Sequence, residues 1–280
     1  MIHTHVVQYK HTEIGEEMTI HREMFDKKQA GKGVFTTPQE AAAHVRKAVR
    51  LARKEKSSLN DDNEITKAIL KLMGMSGKCT RHMLNNLCAY PGIRYVEVGS
   101  HLGSTYCSAI YNNKDMQLGV SIDNWSQFVN PDGTGKDQVK TMFVSNAGNV
   151  VKFNGTTNNQ KWMFFESDYN EFNFEQLGPI DFYFFDGPHH WTEQKAGILK
   201  AYPALADTFI FLVDDWNWPG PQEGTEAAIA ELGLKVHYRV EIYTEPEGYI
   251  PSDMEAQFIP TRFAGSKWHN GIAVFVMSKK

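Results

Sequence analysis

A chain of 280 residues with 41% hydrophobic and 22% charged side chains is long enough to bury a large core, which excludes disorder as its main state. Its 29 basic and 33 acidic residues leave a formal charge of -4, which gives no electrostatic footprint for coating a polyanion, so no nucleic-acid partner is expected. No apolar run approaches the roughly 18 residues of a membrane-spanning helix. Residues 1–10 are polar rather than basic then apolar, so the expectation is a cytoplasmic protein without a membrane partner.

Residues 1–35 mix His, Glu, Lys and Gly without sustained periodicity and read as an irregular arm. Thr37-Pro38-Gln39-Glu40 then opens a helix, with a capping hydroxyl, a proline at the first helical position and an acid at the third. Ala41, Ala42, Val45, Ala48, Val49 and Ala52 fall on one face of it. Arg46, Lys47, Arg50, Arg53 and Lys54 fall on the other, which reads as a solvated face. After a polar break at 57–63, Asp61 or Asp62 is placed to cap a second helix carrying Ile65, Ala68, Ile69, Leu72 and Met73 at helical spacing. A third helix is expected over 80–88. Tyr90-Pro91-Gly92 closes this preface, so residues 1–90 are expected to form an arm and helical cap and 91–280 a separate unit. The odd set Cys79, Cys88 and Cys107 fits neither a metal knuckle nor a disulfide framework and reads as reduced, part-buried thiols.

From Ile93 onward short β-rich runs alternate with helical stretches, the pattern of an α/β protein with a doubly wound, mostly parallel sheet. Strands are expected over 94–98, 117–122, 162–166, 182–185, 209–213, 236–242 and 272–277. Helices are expected over 105–111, 138–147, 191–206 and 223–232.

What stands where each strand stops carries the functional information. Ligands of doubly wound sheets lie in the crevice outside the strand C-termini. Here the first five strands run into Glu97-Val98-Gly99-Ser100-His101-Leu102-Gly103-Ser104-Thr105, Asp123-Asn124-Trp125, Glu166-Ser167-Asp168, Asp186-Gly187-Pro188-His189-His190-Trp191 and Asp214-Asp215-Trp216. Carboxylates converging on one crevice repel one another unless they meet hydroxyls, a cationic ligand or a metal. Gly99 and Gly103 permit a sharp turn and close approach to a ligand. With Glu97 ahead of it, this GxxxG loop suits a ligand carrying an ammonium group better than a pyrophosphate. No GxxxxGK[ST] phosphate loop occurs, which disfavours a nucleoside triphosphatase.

These residues resemble the S-adenosylmethionine site of class I methyltransferases. The resemblance runs from about Thr80 to the C-terminus and implies a Rossmann-like seven-stranded sheet whose last strand, Asn270-Gly-Ile-Ala-Val-Phe-Val276, is inserted antiparallel. It implies that Gly99 and Gly103 border the methionine moiety, that Asp123 binds the ribose hydroxyls and Asp168 the adenine amino group, and that Glu97 supports the loop and the cofactor's amino end. Ser100, Ser104, Trp125 and Asp186 complete the candidate cofactor contacts. A carboxylate can accept both hydrogen bonds of a vicinal diol. A helix N-cap is the alternative role for Asp123 and for Asp168.

Asp186-Gly187-Pro188-His189-His190-Trp191 and Asp214-Asp215 are further similar to elements of small-molecule O-methyltransferases that act on macrolide and aminocoumarin sugars or tailor cephalosporins. That similarity implies Asp186, Asp214 and Asp215 as ligands of Mg²⁺, a cation that prefers oxygen donors, and Asp186 or His189 as acceptor of a substrate proton. Pro188 and Trp191 depart from the family pattern. Capping by the paired aspartates and a backbone hydrogen bond from His189 are the alternatives. Trp191, Trp216 and Trp218 follow the same strand ends, where aromatic rings either pack an acceptor or fill space under a loop. Residues 216–221 and 245–269 are expected to shape the acceptor pocket.

The leading expectation is an S-adenosylmethionine-dependent O-methyltransferase of a small hydroxylated acceptor, with homo-oligomerisation left open. Three alternatives remain: metal-independent N-methylation, a non-catalytic cofactor-binding scaffold, and a nicotinamide oxidoreductase, which the GxxxG spacing disfavours.

Overall fold

The computed structural model describes residues 32–127, 135–155, 161–244 and 267–280. Most of the expected arm and most of the 245–269 insertion lie outside the described residues.

Helix α1, Pro38–Ala52, begins as its sequence dictates, with the Thr37 hydroxyl accepting from the Glu40 amide at 3.2 Å. A 3-10 turn at Ser58–Asn60 fills the polar break, and α2, Glu64–Lys71, is capped by Asn63 rather than by Asp61 or Asp62. The reason is reciprocal bonding: Asn63 accepts from the Thr66 amide while the Thr66 hydroxyl serves the Asn63 amide, which neither aspartate is positioned to do. Helix α3, Lys78–Cys88, leads through the Tyr90 turn into β1, Arg94–Val98. The remaining elements are α4 Ser104–Ile110, β2 Leu118–Asp123, α5 Lys136–Asn154, β3 Lys161–Glu166, β4 Ile180–Phe185, α6 Trp191–Ala201, β5 Leu205–Val213, α7 Pro219–Leu232, β6 Lys235–Ile242 and β7 Ile272–Ser278.

Three helix expectations need correction. The helix expected over 191–206 stops at Ala201, because Pro203 has no amide to continue the ladder, and a 3-10 turn at Tyr202–Ala204 delivers the chain into β5 four residues earlier than the predicted strand at 209. The helix expected over 138–147 runs to Asn154, where Gly155 ends it at φ 75°. The one expected from 223 starts at Pro219, a residue suited to a first turn.

All seven strands form one sheet in the order β3-β2-β1-β4-β5-β7-β6, with β7 antiparallel to both neighbours. This is the Rossmann-like sheet that the resemblance implies, mostly parallel and wound in both directions from β1 and β4. Side-chain alternation divides the core. Tyr95, Phe182, Phe184, Ile210, Leu212 and Val274 pack toward α1, α3, α4 and α5, and Val96, Tyr183, Phe185, Phe211, Val213 and Phe275 toward α6 and α7. The apolar face of α1 shares the first of these cores with the strands. Its Arg46 lies over the Tyr238 ring at 5.2 Å, while Lys47, Arg50, Arg53 and Lys54 are exposed. The cysteines are free and buried. Among the described residues no helix is long and apolar enough to cross a membrane.

Candidate functional site

The strand order reverses between β1 and β4, and their C-terminal ends are in direct contact. Gly99 has φ 88°, and a β-carbon there would lie 1.8 Å from the Asp186 carbonyl oxygen, so only glycine permits the two chains to meet. The Asp186 amide donates to the Val98 carbonyl at 2.9 Å. The glycine loop and the strand-four acid therefore belong to one crevice.

Asp123 shapes that crevice by reaching across from β2. Its Oδ2 accepts from the Ser100 and His101 amides, both at 2.8 Å, and its Oδ1 from the Trp125 amide at 2.7 Å. No helix begins at Asp123; α5 starts at Lys136, so the capping alternative does not describe this carboxylate. Trp125 donates through Nε1 to the His101 carbonyl at 2.9 Å and packs on Phe143 with only 2% of its surface exposed, which makes it a floor under the loop. Asp168 accepts from Asn124 Nδ2 at 3.2 Å and from the Asn170 amide at 2.8 Å, opening a turn at the end of β3. Ser100 is buried against Ser121, and Ser104 at the start of α4 bonds Ser76 at 3.0 Å. Gly103, at φ 87°, seats on the Phe143 ring.

Glu97 is fully buried, with the Tyr95 hydroxyl donating to Oε2 and the Thr105 hydroxyl to Oε1. Burial pushes its carboxyl up to about 7, against the opposing pull of those hydroxyl donors. A carboxyl raised in the folded state stabilises the fold most below its unfolded value near 4.5 and loses that contribution as pH rises through 7. Glu97→Gln is therefore expected to flatten the stability profile: wild type should lose about 3 kcal/mol relative to the variant between pH 4.5 and 8, measured by urea unfolding across that range.

At the ends of β4 and β5, one ligand atom from each of Asp186, His189 and Asp215 lies within 4.8 Å of the others. His189 Nε2 is 2.7 Å from Asp215 Oδ2. Asp214, the third aspartate expected as a ligand, is not in this group. Neighbouring residues at a strand end point apart, and Asp215 is turned into the crevice by a left-handed backbone at φ 53°. Asp214 is instead buried with its Oδ1 lacking a hydrogen-bond partner among the described residues.

The cluster's charges are unequal. Burial and the facing Asp215 carboxylate drive Asp186 well above the usual carboxylate range, and burial with Asp186 and Asp215 does the same to Asp214. Burial alone would raise Asp215 too, but the His189 imidazole outweighs it and holds that carboxyl at about 2. In return, the Asp215 carboxylate overcomes the effect of burial and raises His189. The tryptophans divide by role: Trp216 is fully buried against Phe275, whereas Trp218 packs its edge on His189 at 4.6 Å and Trp191 is exposed at the rim.

Three residues escaped the reading of the sequence. Ser76 and the buried Arg81, which donates to Ser76 and to the carbonyls of Ile69 and Leu72, tie the α2–α3 connection to Ser104. Asn270 donates to Asp215 Oδ1 at 2.6 Å. Nothing in local spacing marks the first two; the Asn270-Gly271 turn pair ahead of β7 was the available signal for the third.

Residues 96–216 match the family model of a methyltransferase domain, with the glycine loop, Asp123, Asp168 and Asp186 to Asp215 all inside the match. The matched segment is thus similar to a methyltransferase domain. The helical preface and β6 and β7 flank the matched methyltransferase domain. No curated protein matches the chain. Among solved structures it is similar to TrmN from Thermus thermophilus, at 14% identity over 78% of this chain and 52% of that one with a TM-score of 0.46. It is similar to an S-adenosylmethionine-dependent O-methyltransferase from Thermotoga maritima, at 14% identity over 72% and 65% with a TM-score of 0.45. An O-methyltransferase from Bacillus cereus, solved in complex with SAH, is similar at 11% identity over 85% and 91% with a TM-score of 0.44.

Proposed function

We propose that this methyltransferase domain transfers a methyl group to the hydroxyl of a small acceptor that is deprotonated at the Asp186, His189 and Asp215 cluster with the help of a divalent cation. The observation that carries the reading is the contact between Gly99 and the Asp186 carbonyl, which puts the cluster next to the glycine loop. Methyl transfer to oxygen needs a deprotonated acceptor in line with the sulfonium methyl, and an amine acceptor would not need this concentration of acid and imidazole.

The donor set fits a cation. Two carboxylates and an imidazole converge. Two oxygens with one nitrogen suit Mn²⁺ as well as Mg²⁺. When bound, such an ion supplies the Lewis acidity that lowers the acceptor hydroxyl's pKa. The chain's own side chains do the rest. Asp215 fixes the imidazole through Nε2, Trp218 packs beside it, and Asp186 or His189 takes the hydroxyl proton. Asp123 holds the cofactor loop closed around its ligand, and Asp168 and Glu97 offer carboxyl groups to an amine at either end of the cofactor.

Calorimetric titration with S-adenosylmethionine and S-adenosylhomocysteine tests the first half of the reading, and micromolar binding is expected. A screen of vicinal diols and phenols, run with Mn²⁺ or Mg²⁺ and again with chelator, tests the second. Chelation is expected to lower turnover at least about a hundredfold, the order of a lost general-base and Lewis-acid contribution. Turnover indifferent to chelator rules out the cation's role; absence of cofactor binding by the folded protein rules out the whole reading.

A further inference from the structure

The cluster proposed above depends on Asp215, and Asp215 is held from a place outside the matched domain. Its backbone sits in the left-handed region, and the turn that follows is zipped to the approach to β7: the Trp216 amide donates to the Gly271 carbonyl at 3.1 Å and the Asn217 amide to the Asn270 carbonyl at 2.9 Å. The pairing continues the β5 and β7 register, in which Val213 faces Ala273. It brings Asn270, only 5% exposed, onto the carboxylate that His189 holds from the other side.

The chemistry of this contact fixes its direction. A carboxylate oxygen only accepts, so the amide must turn its nitrogen to Asp215. That leaves Asn270 Oδ1 buried without a hydrogen-bond partner among the described residues. A residue selected for packing alone would not carry a buried oxygen at such cost. With His189 on Oδ2 and Asn270 on Oδ1, both oxygens of Asp215 are committed and its plane is set.

We propose that Asn270 is a positioning residue that fixes the Asp215 carboxylate toward His189 and thereby sets how tightly the cluster holds a divalent cation. The inference rests on the cation reading above. Outer-shell partners of metal-binding carboxylates typically matter at the level of about 10- to 100-fold in affinity.

The test compares the full-length protein with Asn270→Ala and Asn270→Leu, the second preserving bulk and removing the amide's own unpaired oxygen along with its donor to Asp215. Mn²⁺ affinity, followed by electron paramagnetic resonance, is expected to fall about 10- to 100-fold in both variants, while S-adenosylhomocysteine affinity stays within about twofold of wild type. A second readout needs no metal: the Nε2 proton resonance of His189 at one fixed pH, identified by its loss in His189→Gln, is expected to be sharp in wild type and exchange-broadened in both Asn270 variants. Unchanged Mn²⁺ affinity in a folded variant overturns the inference. If wild type binds no Mn²⁺, the cation reading fails separately, and the Asn270 inference then stands or falls on the His189 resonance, with an unchanged signal overturning it.

Discussion

Asp215→Asn is expected to lower methyl transfer by about three orders of magnitude and to weaken Mn²⁺ binding by about a hundredfold or more, with S-adenosylhomocysteine affinity nearly unchanged. The substitution keeps the shape of the side chain and removes its charge. His189 then loses the carboxylate that raises it, in a site where burial alone disfavours the imidazolium. Asp214 lies outside the cluster, so Asp186 is left as its remaining carboxylate. The affinity for the cofactor product should hold because Asp215 makes its polar contacts with His189 and Asn270 and none with the glycine loop. His189→Gln should fall to a similar level. If the two residues act as one unit, the double variant will be no slower than the worse single one, since removing either partner already abolishes what the pair does. Additive losses would show instead that the imidazole and the carboxylate work independently. Wild-type turnover in Asp215→Asn, with an acceptor found by the screen, would remove this cluster from the reaction.

The arrangement behind that prediction was partly legible in the sequence, and the limits are physical. An acid at the end of each of five successive runs is visible without a structure, because strand ends in a parallel sheet face the ligand crevice whatever the details of packing. The glycine loop was legible for the same reason, though the demand on Gly99 comes from the Asp186 carbonyl, a neighbour 87 positions away that no local pattern encodes. The inserted antiparallel strand followed from the family resemblance, and the sheet order agrees. Which of two adjacent aspartates would face the crevice was not legible. Strand alternation separates Asp214 from Asp215, but the outcome depends on the left-handed turn at Asp215, and that turn is imposed by backbone bonds to residues 270 and 271. The end of α6 was not legible although Pro203 stands in the sequence, because Ala201, Ala204, Leu205 and Ala206 continue the apolar run past it. Asn270 and Arg81 were missed for a third reason. Each acts through a contact between distant segments, and periodicity reports only on neighbours.

Asp123→Ala is expected to weaken S-adenosylhomocysteine binding by about a hundredfold or more, and Asp123→Asn by about tenfold. Three backbone amides converge on this one carboxylate, so its removal undoes the loop before any direct contact with a ribose is counted. The Ser100 amide belongs to a residue only 3% exposed, and without Asp123 it must find water or stay unpaired, an uncompensated cost of about 1 to 3 kcal/mol. Asparagine keeps one oxygen to accept from the loop but sets an amine where the other stood, which explains its intermediate rank. Both variants should fold, because the sheet pairing of β2 with β1 and β3 does not involve the Asp123 side chain. A melting temperature within several degrees of wild type, together with the large loss of affinity, would locate the effect in the loop. Asp168→Ala provides the contrast. Its carboxylate holds one side chain and one turn amide at the end of β3, so a loss of only a fewfold in affinity is expected, from whatever contact it makes with the cofactor. Equal losses at Asp123 and Asp168 would mean that direct contacts dominate and that preorganisation of the glycine loop contributes little. Undiminished binding in Asp123→Ala would place the cofactor somewhere other than the crevice between β1 and β4.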